Sequence, residues 1–251
     1  MNEKVQAPEV KNARPYDVAP PEQFAEFMRT GWAPSNLEGL QPLEVVTYAF
    51  TRRQVLSDAF PNIRLVIPSG NYKTRSNDTE YVYRPHSAFA YYSGVQGADA
   101  VADSVLVLEP KAEGGHDAYL YLHPRSTRES DAFYTDRKYG ELWVGRHFTL
   151  EEAATVYQIE TRNVDNIEGL LRFSKETLLI RGEDALMDKL IKSMLSICSW
   201  LTPNDRSCRI IHLFSGTGHI LSVTFHISLL EIGCKTVEIL VIRKNGLRGR
   251  S

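Results

Sequence analysis

The chain has 251 residues, of which 43% are hydrophobic and 24% charged, and its formal net charge is −2. These values are typical of an ordinary globular protein and argue against a disordered or fibrous chain. A charge this close to zero also argues against a general nucleic-acid binder, which needs a basic field to attract phosphates. The sequence shows neither an N-terminal secretion signal nor a run of about 18 apolar residues, so no membrane association is expected.

The cysteines indicate a reducing compartment. There are three of them, Cys198, Cys208 and Cys234. An odd number without close pairing favours free thiols over a disulfide framework, so we expect a cytoplasmic protein.

The first third of the chain is predicted to be mostly irregular and helical. Residues 1–40 are expected to be a flexible lead-in, because prolines interrupt them and only Gln23–Thr30 could form a short helix. A longer helix is predicted over Leu43–Phe60, ended by Pro61. Three apolar residues define its expected inner face, namely Val46, Phe50 and Leu56.

The middle of the chain alternates between strand and helix patterns. Runs rich in aromatic and β-branched residues predict strands at Arg64–Ile67, Tyr81–Tyr83, Phe89–Tyr92, Val105–Leu108 and Tyr119–Leu122, with Gly114-Gly115 as a hairpin loop. Helices are predicted over Leu150–Ile159, capped by Thr149, and over Asn166–Ser174 and Glu183–Leu195. Interleaved strands and helices predict an α/β fold, a sheet with helices packed on it.

A change of composition follows residue 190. Up to that point the chain has 21 Lys and Arg against 28 Asp and Glu, a charge of −7. Beyond it there are 8 against 3, a charge of +5. This switch indicates that the last sixty or so residues have a different origin or history.

The run Arg75–Pro85, RSNDTEYVYRP, is followed by aromatic residues and Gly94. Together with the wider block Ile63–Arg146, it resembles the N-terminal domain of the aminopeptidase P (Xaa-Pro aminopeptidase) and creatinase-like family. The resemblance implies a mixed sheet with flanking helices over residues 41–195. In that family a metal-dependent catalytic domain follows this one.

Residues 196–251 resemble a degenerate remnant of that metallopeptidase domain. The match implies that His219 is a metal ligand and His226 a catalytic histidine. Glu238 would be a metal-binding glutamate. Ser215 and Ile227 depart from the family signature, which has histidine and aspartate there. The alternative is that the seven-residue spacing of His212, His219 and His226 is a coincidence.

The family resemblance implies removal of an N-terminal residue that precedes proline, with a two-metal Mn²⁺ site as cofactor and a peptide as substrate. Such a site needs several carboxylates. Between Leu190 and His219 the only acidic residue is Asp205. We therefore expect Mn²⁺ not to bind stably and the chain to be inactive alone. No substrate-binding residue is predicted.

Two other interpretations remain open. The chain could be a non-catalytic oligomerisation or binding module that forms a homo-oligomer, or its reading frame could be damaged near residue 190. Three loop histidines, His86, His116 and His123, lack metal-ligand spacing and are expected to be solvated. The basic-aromatic runs Arg137–Tyr139 and Trp143–Arg146 are expected to be ordinary surface or a subunit contact.

Overall fold

The computed structural model describes residues 21–33, 39–77, 79–171, 177–190, 210–214 and 224–226. The helices are α1 Glu22–Arg29, α2 Val45–Ala59, α3 Ser87–Ser93, α4 Ala132–Thr135, α5 Glu141–Val144, α6 Leu150–Tyr157, α7 Ile167–Leu171 and α8, residues 185–190. The strands are β1 Arg64–Pro68, β2 Thr74–Ser76, β3 Thr79–Glu80, β4 Val105–Pro110, β5 His116–Leu122, β6 Glu160–Asn163, β7 Thr177–Ile180, β8 Ile210–Phe214 and β9 Thr224–His226. Within these residues, no helix is long and apolar enough to cross a bilayer.

Seven of the strands form one mixed sheet in the order β6-β5-β4-β1-β7-β8-β9, and β2 and β3 form a separate hairpin. β4 is antiparallel to both of its neighbours, β1 and β5. β6 adds in parallel to β5, and β7 adds in parallel to β1. The predicted α/β class, a mixed sheet with flanking helices, is confirmed.

Helices cover the sheet on both faces. Alternate strand residues such as Leu106 and Leu108 pack against residues of α2, α3 and α6. The residues between them, such as Val105 and Val107, pack on the opposite face with Ile167 of α7 and Met187 of α8. Burial on both faces explains why β1 and β4 are almost continuously apolar.

Two predicted strands are wrong. Phe89–Tyr92 belongs to α3, because the His86 side chain caps its start and Gly94, with a φ of 81°, ends it. Phe89 and Ser93, four residues apart, form the buried stripe of this helix. Tyr81–Tyr83 forms no ladder within the described residues.

The α2 helix is confirmed, and its expected inner face is confirmed in part: Val46 is buried and Leu56 packs against the core, but Phe50 lies outside that face. Its buried residues are Val46, Ala49, Arg53 and Ser57. Phe50 is 55% exposed. The end of α3 lies close to α2, because a Cβ on Gly94 would be 3.2 Å from Val45 and 3.6 Å from Ala49.

The remaining helix predictions are confirmed in part. α6 begins with a capping box between Thr149 and Glu152, as the Thr149 N-cap predicted. α7 and α8 fall inside two of the predicted ranges. The sequence analysis does not predict β6, whose four residues ETRN are all polar, and it does not predict β7. α1 lies in the predicted lead-in, and the domain boundaries stay a prediction.

We call the edge of the sheet where β1, β5 and β7 begin the amino edge. Hydrogen bonds between buried polar groups stabilise it. Arg64 is 1% exposed and donates two hydrogen bonds to the Glu109 carboxylate, at 2.5 and 3.0 Å. His116 Nε2 lies 2.7 Å from the Ile63 carbonyl, which only accepts, so Nε2 carries the proton. Nδ1 then accepts from the Ser57 hydroxyl at 2.7 Å. Each of these groups has a partner of the right kind.

Candidate functional site

The opposite edge of the sheet gathers a different set of polar side chains. β1, β5, β6 and β7 all end there, and the antiparallel β4 begins there. We call it the carboxyl edge. In open α/β sheets, ligands commonly bind outside the carboxyl ends of parallel strands. The carboxyl edge is therefore the candidate site.

Asp103, two residues before β4, stands at the centre of this edge. Its φ of 59° lies in the left-handed region, which non-glycine residues seldom adopt. Its N–H donates to the Gly70 carbonyl at 2.9 Å. One carboxylate oxygen, Oδ2, accepts hydrogen bonds from both the Lys138 ammonium and the Tyr139 hydroxyl. A strained residue that carries a shared acceptor is a reason to suspect function.

The loop that carries Lys138 and Tyr139 is held by hydrogen bonds between its backbone and the side chain of Asp136. The Asp136 carboxylate accepts from the amides of Lys138 at 2.9 Å and Tyr139 at 3.1 Å. Gly140 follows, and a Cβ there would lie 2.8 Å or less from three backbone carbonyl oxygens, the nearest being that of Asp136 at 2.4 Å. Only glycine fits this position, so the loop conformation fixes where Tyr139 points.

His123, the residue after β5, stacks on Tyr139 with ring centroids 3.7 Å apart and planes at 27°. Burial lowers the pKa of His123, because the imidazolium is poorly solvated there. Burial also raises the pKa of Tyr139, and the Asp103 carboxylate raises it further. At neutral pH a neutral imidazole therefore lies on a neutral phenol that donates to Asp103.

A second network ties the end of β1 to the same centre. The Tyr83 hydroxyl donates to the Gly70 carbonyl at 3.0 Å and lies 2.8 Å from Ser69 Oγ. Burial raises the pKa of Tyr83, so the phenol stays protonated. Since the Gly70 carbonyl also accepts from the Asp103 amide, the two networks share one acceptor.

The two residues directly before α8, Glu183 and Asp184, also lie at the carboxyl edge. Asp184 Oδ1 accepts from the amides of Leu186 at 2.8 Å and Met187 at 3.0 Å and so caps that helix. Burial raises the pKa of Asp184. Beside it, Glu183 Oε1 lies 3.9 Å from Nε2 of His86, whose pKa burial lowers. Several titratable groups with shifted pKa values thus meet at one edge, which is typical of functional sites.

The carboxyl edge can donate and accept hydrogen bonds, but it does not offer a two-metal centre. Among the described residues, no group of three or more His, Cys, Asp or Glu side chains could hold a metal ion. A two-ion hydrolase site needs several such ligands. The described residues therefore do not fit Mn²⁺.

The site residues predicted from the family signature stay predictions. His226 lies in β9, where its Cα pairs with that of His212 in β8. His219 and Glu238 lie outside the residues that the structure describes.

The expectation of solvated loop histidines is wrong. His86 caps α3, His116 bonds through both ring nitrogens, and His123 stacks on Tyr139. His116 is the first residue of β5 and His123 follows its last residue, so their contacts form only in the folded sheet and a spacing argument does not reveal them.

The basic-aromatic runs also have specific contacts. The Arg137 guanidinium lies 5.2 Å from the centre of the Trp143 ring. Lys138 and Tyr139 bind Asp103 instead of facing solvent as ordinary surface.

The sequence analysis did not single out Asp103 as a site residue. A charged residue directly before the buried run Ser104–Leu108 was a usable signal.

Comparison with known proteins extends this picture. The family described as "Aminopeptidase P, N-terminal domain" matches residues 49–178. Xaa-Pro aminopeptidase 1 of Streptomyces lividans is 45% identical over 165 residues, which are 65% of this chain and 32% of the relative. Xaa-Pro aminopeptidase 2 of Streptomyces coelicolor is 40% identical over 171 residues, 67% of this chain and 35% of the relative. The chain thus spans about a third of the length of these curated relatives.

Solved structures of similar proteins were also found. An Escherichia coli aminopeptidase P aligns with a TM-score of 0.48 and 23% identity, over 61% of this chain and 32% of that one. Proline aminopeptidase P II from Yersinia pestis aligns with a TM-score of 0.47 and 25% identity, over 60% and 33%. The family match covers more than half of the chain and includes β1, β4, β5 and β6. The chain therefore belongs to the aminopeptidase P family, through the N-terminal domain of that family.

Proposed function

We propose that the domain built on the seven-stranded sheet is a non-catalytic accessory domain of the Xaa-Pro aminopeptidase type. The observation that carries the proposal is the family match over residues 49–178. In the described residues this domain has a polar carboxyl edge but no cluster of metal ligands. The domain would support peptide hydrolysis performed elsewhere, by forming hydrogen bonds at its carboxyl edge.

We further propose that the 251-residue chain does not release N-terminal residues from Xaa-Pro peptides by itself. The family chemistry would require two divalent ions, such as Mn²⁺, to activate a water molecule. The sequence offers only His219, His226 and Glu238 toward that ligand set, with Asp205 as the one acidic residue between positions 190 and 219.

The test is a hydrolysis assay on the purified chain with excess Mn²⁺ and a peptide with proline in second position. We expect no release of the N-terminal residue, whereas the Streptomyces lividans Xaa-Pro aminopeptidase 1, as positive control, should release it. Release that requires Mn²⁺ and disappears in the variant His219→Ala would contradict the proposal.

A metal titration separates lack of binding from lack of catalysis. Calorimetric titration of the chain with Mn²⁺ should give no saturable heat, and the variant His226→Ala should behave as the unchanged chain does. Tight binding that His226→Ala abolishes would show that part of a metal site is functional.

A second candidate function is an assembly module, which one observation favours. Large hydrophobic side chains of α1 and α5 are exposed, among them Phe27 at 70% and Trp143 at 52%. Exposed apolar surface of this kind marks sites of protein association. Size-exclusion chromatography with light scattering tests it, and a chain that is monomeric at every concentration would exclude self-association.

The proposed compartment is the cytoplasm, with all three cysteines reduced. Titration with a chromogenic thiol reagent under denaturing, non-reducing conditions should then detect three thiols per chain. Detection of one thiol would indicate a disulfide and a different compartment.

A further inference from the structure

Helix α1 packs on the domain through a small core of its own. Its buried residues are Ala25 and Met28. They pack with Phe133 and Tyr134 of α4, in a cluster separate from the two that flank the sheet. Trp32, just after α1, packs on Phe133 with ring centroids 4.9 Å apart. Elements held by few buried apolar contacts open locally at a lower free energy than the rest of a fold, so α1 is a candidate for a movable element.

Polar contacts fix the position of α1 on the same part of the fold. The Arg29 guanidinium donates two hydrogen bonds to the Asp131 carboxylate, at 2.7 and 2.9 Å. Arg128 donates to the Ala33 carbonyl. The Arg29 and Asp131 side chains are 41% and 33% exposed, so their ion pair orients α1 more than it stabilises it. We call residues 22–33, which make these contacts, the strap.

The helix beneath the strap is too short to be stable alone. α4 has four residues, about one turn. An isolated turn is unfavourable because it fixes several dihedral angles for one hydrogen bond. Phe133 and Tyr134 are 3% and 6% exposed while the strap covers them. Undocking of the strap would expose apolar surface of both side chains, and α4 would lose the packing that stabilises its single turn.

The loop at the candidate site lies directly against the end of α4. A Cβ on Gly140 would be 2.6 Å from the carbonyl oxygen of Ala132. Asp136, the residue after α4, accepts from the amides of Lys138 and Tyr139. This loop supplies both donors of the shared acceptor at the carboxyl edge. The strap, α4 and the loop therefore form one continuous series of contacts.

We propose that the strap is a conformational device that controls the carboxyl edge: when it undocks from α4, the Lys138–Tyr139 loop leaves Asp103. In the docked state the loop donates to Asp103 and stacks Tyr139 on His123. In the undocked state the Asp103 carboxylate and the His123 ring face solvent and are free to bind other groups. This inference rests on the proposed accessory function, because it names what regulates the edge that performs it.

The test is amide hydrogen exchange of the whole chain, followed by mass spectrometry. The amides of α1 and of residues 138–140 are hydrogen-bonded, so both segments should be protected. If they open together, they should exchange at the same opening equilibrium, whereas β4 should exchange far more slowly. Met28→Ser should speed exchange of both segments by about tenfold or more, because it removes a buried apolar side chain from the strap contact.

A matched control is the neighbouring residue of α1. Phe27 is 70% exposed, so Phe27→Ser changes helix propensity without removing a buried contact with α4. It should leave the exchange of residues 136–140 unchanged.

A milder variant guards against loss of folding in Met28→Ser. Arg29→Ala removes the exposed ion pair and should speed exchange of both segments by about two- to fivefold. Arg29→Lys should recover part of this effect, because it keeps the charge but not the two-point geometry.

The coupling should also be visible from the other end, because coupling between two parts of a protein is reciprocal. Gly140→Ala displaces the loop from α4 and should therefore speed exchange in residues 22–33. Gly169→Ala, whose Cβ would meet nothing within 4 Å, should leave the strap unchanged.

A second readout follows the imidazole of His123. Burial lowers its pKa, and four charged groups act on it, namely Asp165, Asp103, Lys138 and Asp136. Release of the loop would reduce the burial and remove the Lys138 charge, so the pKa should rise toward its ordinary value of about 6.5. Titration of the His123 Cε1–H resonance by NMR should give a higher pKa in Met28→Ser than in Phe27→Ser.

Three outcomes would overturn the proposal. Faster exchange of residues 22–33 alone in Met28→Ser would show that the strap opens without the loop. Equal acceleration of residues 136–140 in Phe27→Ser would assign the effect to helix propensity. An identical His123 pKa in the two variants would show that the carboxyl edge does not respond to the strap. These readouts do not depend on peptide hydrolysis, so a chain that released N-terminal residues would refute the accessory function and leave the strap intact.

Discussion

The two edges of the sheet bury polar groups in opposite ways. At the amino edge, Arg64 and Glu109 form two hydrogen bonds with each other, and His116 has one partner for each ring nitrogen. At the carboxyl edge, Lys138 and Tyr139 compete for one oxygen of Asp103, whose backbone is strained. Burial of charge alone therefore does not identify a site. Strain and shared acceptors distinguish the carboxyl edge from a purely structural ion pair.

The largest effect is expected at the amino edge. Glu109→Ala leaves the buried Arg64 guanidinium without its carboxylate, which should lower the free energy of unfolding by about 3–5 kcal/mol in chemical denaturation. Glu160→Ala removes the carboxylate of the exposed pair with Arg162 and should cost less than about 1 kcal/mol. Equal losses in the two variants would show that the Arg64–Glu109 pair is not effectively buried.

At the carboxyl edge, Gly140→Ala tests whether the loop fixes Tyr139. The added Cβ meets three backbone carbonyl oxygens that cannot move aside cheaply, so we expect a loss of about 2–3 kcal/mol in unfolding free energy. Gly169→Ala in α7 is the matched control, because its Cβ would meet nothing within 4 Å. It should stabilise the protein by about 0.5–1 kcal/mol, the usual gain in a helix. If Gly169→Ala also destabilised the protein, the loss in Gly140→Ala could not be assigned to the contact of its Cβ with the three carbonyl oxygens.

Because Asp103 accepts from two donors, we expect loss of this acceptor to cost more stability than loss of one donor. Asp103→Ala deprives both donors of their partner and should cost about 2 kcal/mol. Tyr139→Phe removes one donor and leaves Lys138 on Asp103, so it should cost about 0.5–1 kcal/mol. Thermal melts followed by circular dichroism give both values. A larger loss for Tyr139→Phe would mean that Tyr139, not Asp103, organises this edge.

The smallest expected effect is on pH dependence. Because burial lowers the pKa of His123 in the folded state, the unfolded chain binds its proton more readily. The stability from His123 is complete above its ordinary pKa of about 6.5 and is lost as the pH falls from there toward the lowered value. His123→Phe keeps the stacking on Tyr139 but cannot titrate. Its denaturation midpoint should therefore fall less than that of the unchanged chain between pH 7 and pH 5, and parallel curves would contradict this.

Sequence patterns identified the elements whose signals are local. Thr149 and Glu152 are three residues apart, so the capping box of α6 is visible in the sequence. The apolar runs of β1 and β4 are equally local, because both sides of these strands are buried. The block Ile63–Arg146, with the run Arg75–Pro85, indicated the family by resemblance, and the match over residues 49–178 confirms it.

The tertiary structure decided what depends on distant partners. Phe89–Tyr92 has the composition of a strand, but contacts with α2 and caps from His86 and Gly94 make it a helix. Asp103 becomes the centre of the carboxyl edge only when the Lys138–Tyr139 loop, 35 residues later, folds onto it.

The sequence by itself determined the fold class, since periodicity and turn residues act over a few positions, and its resemblance to known sequences indicated the family. Which polar groups meet at the two edges of the sheet, and which aromatic residues stay exposed on α1 and α5, was decided by the tertiary structure alone. The physical reason is that burial, strain and shared acceptors arise between residues far apart in the chain, and no local pattern encodes them.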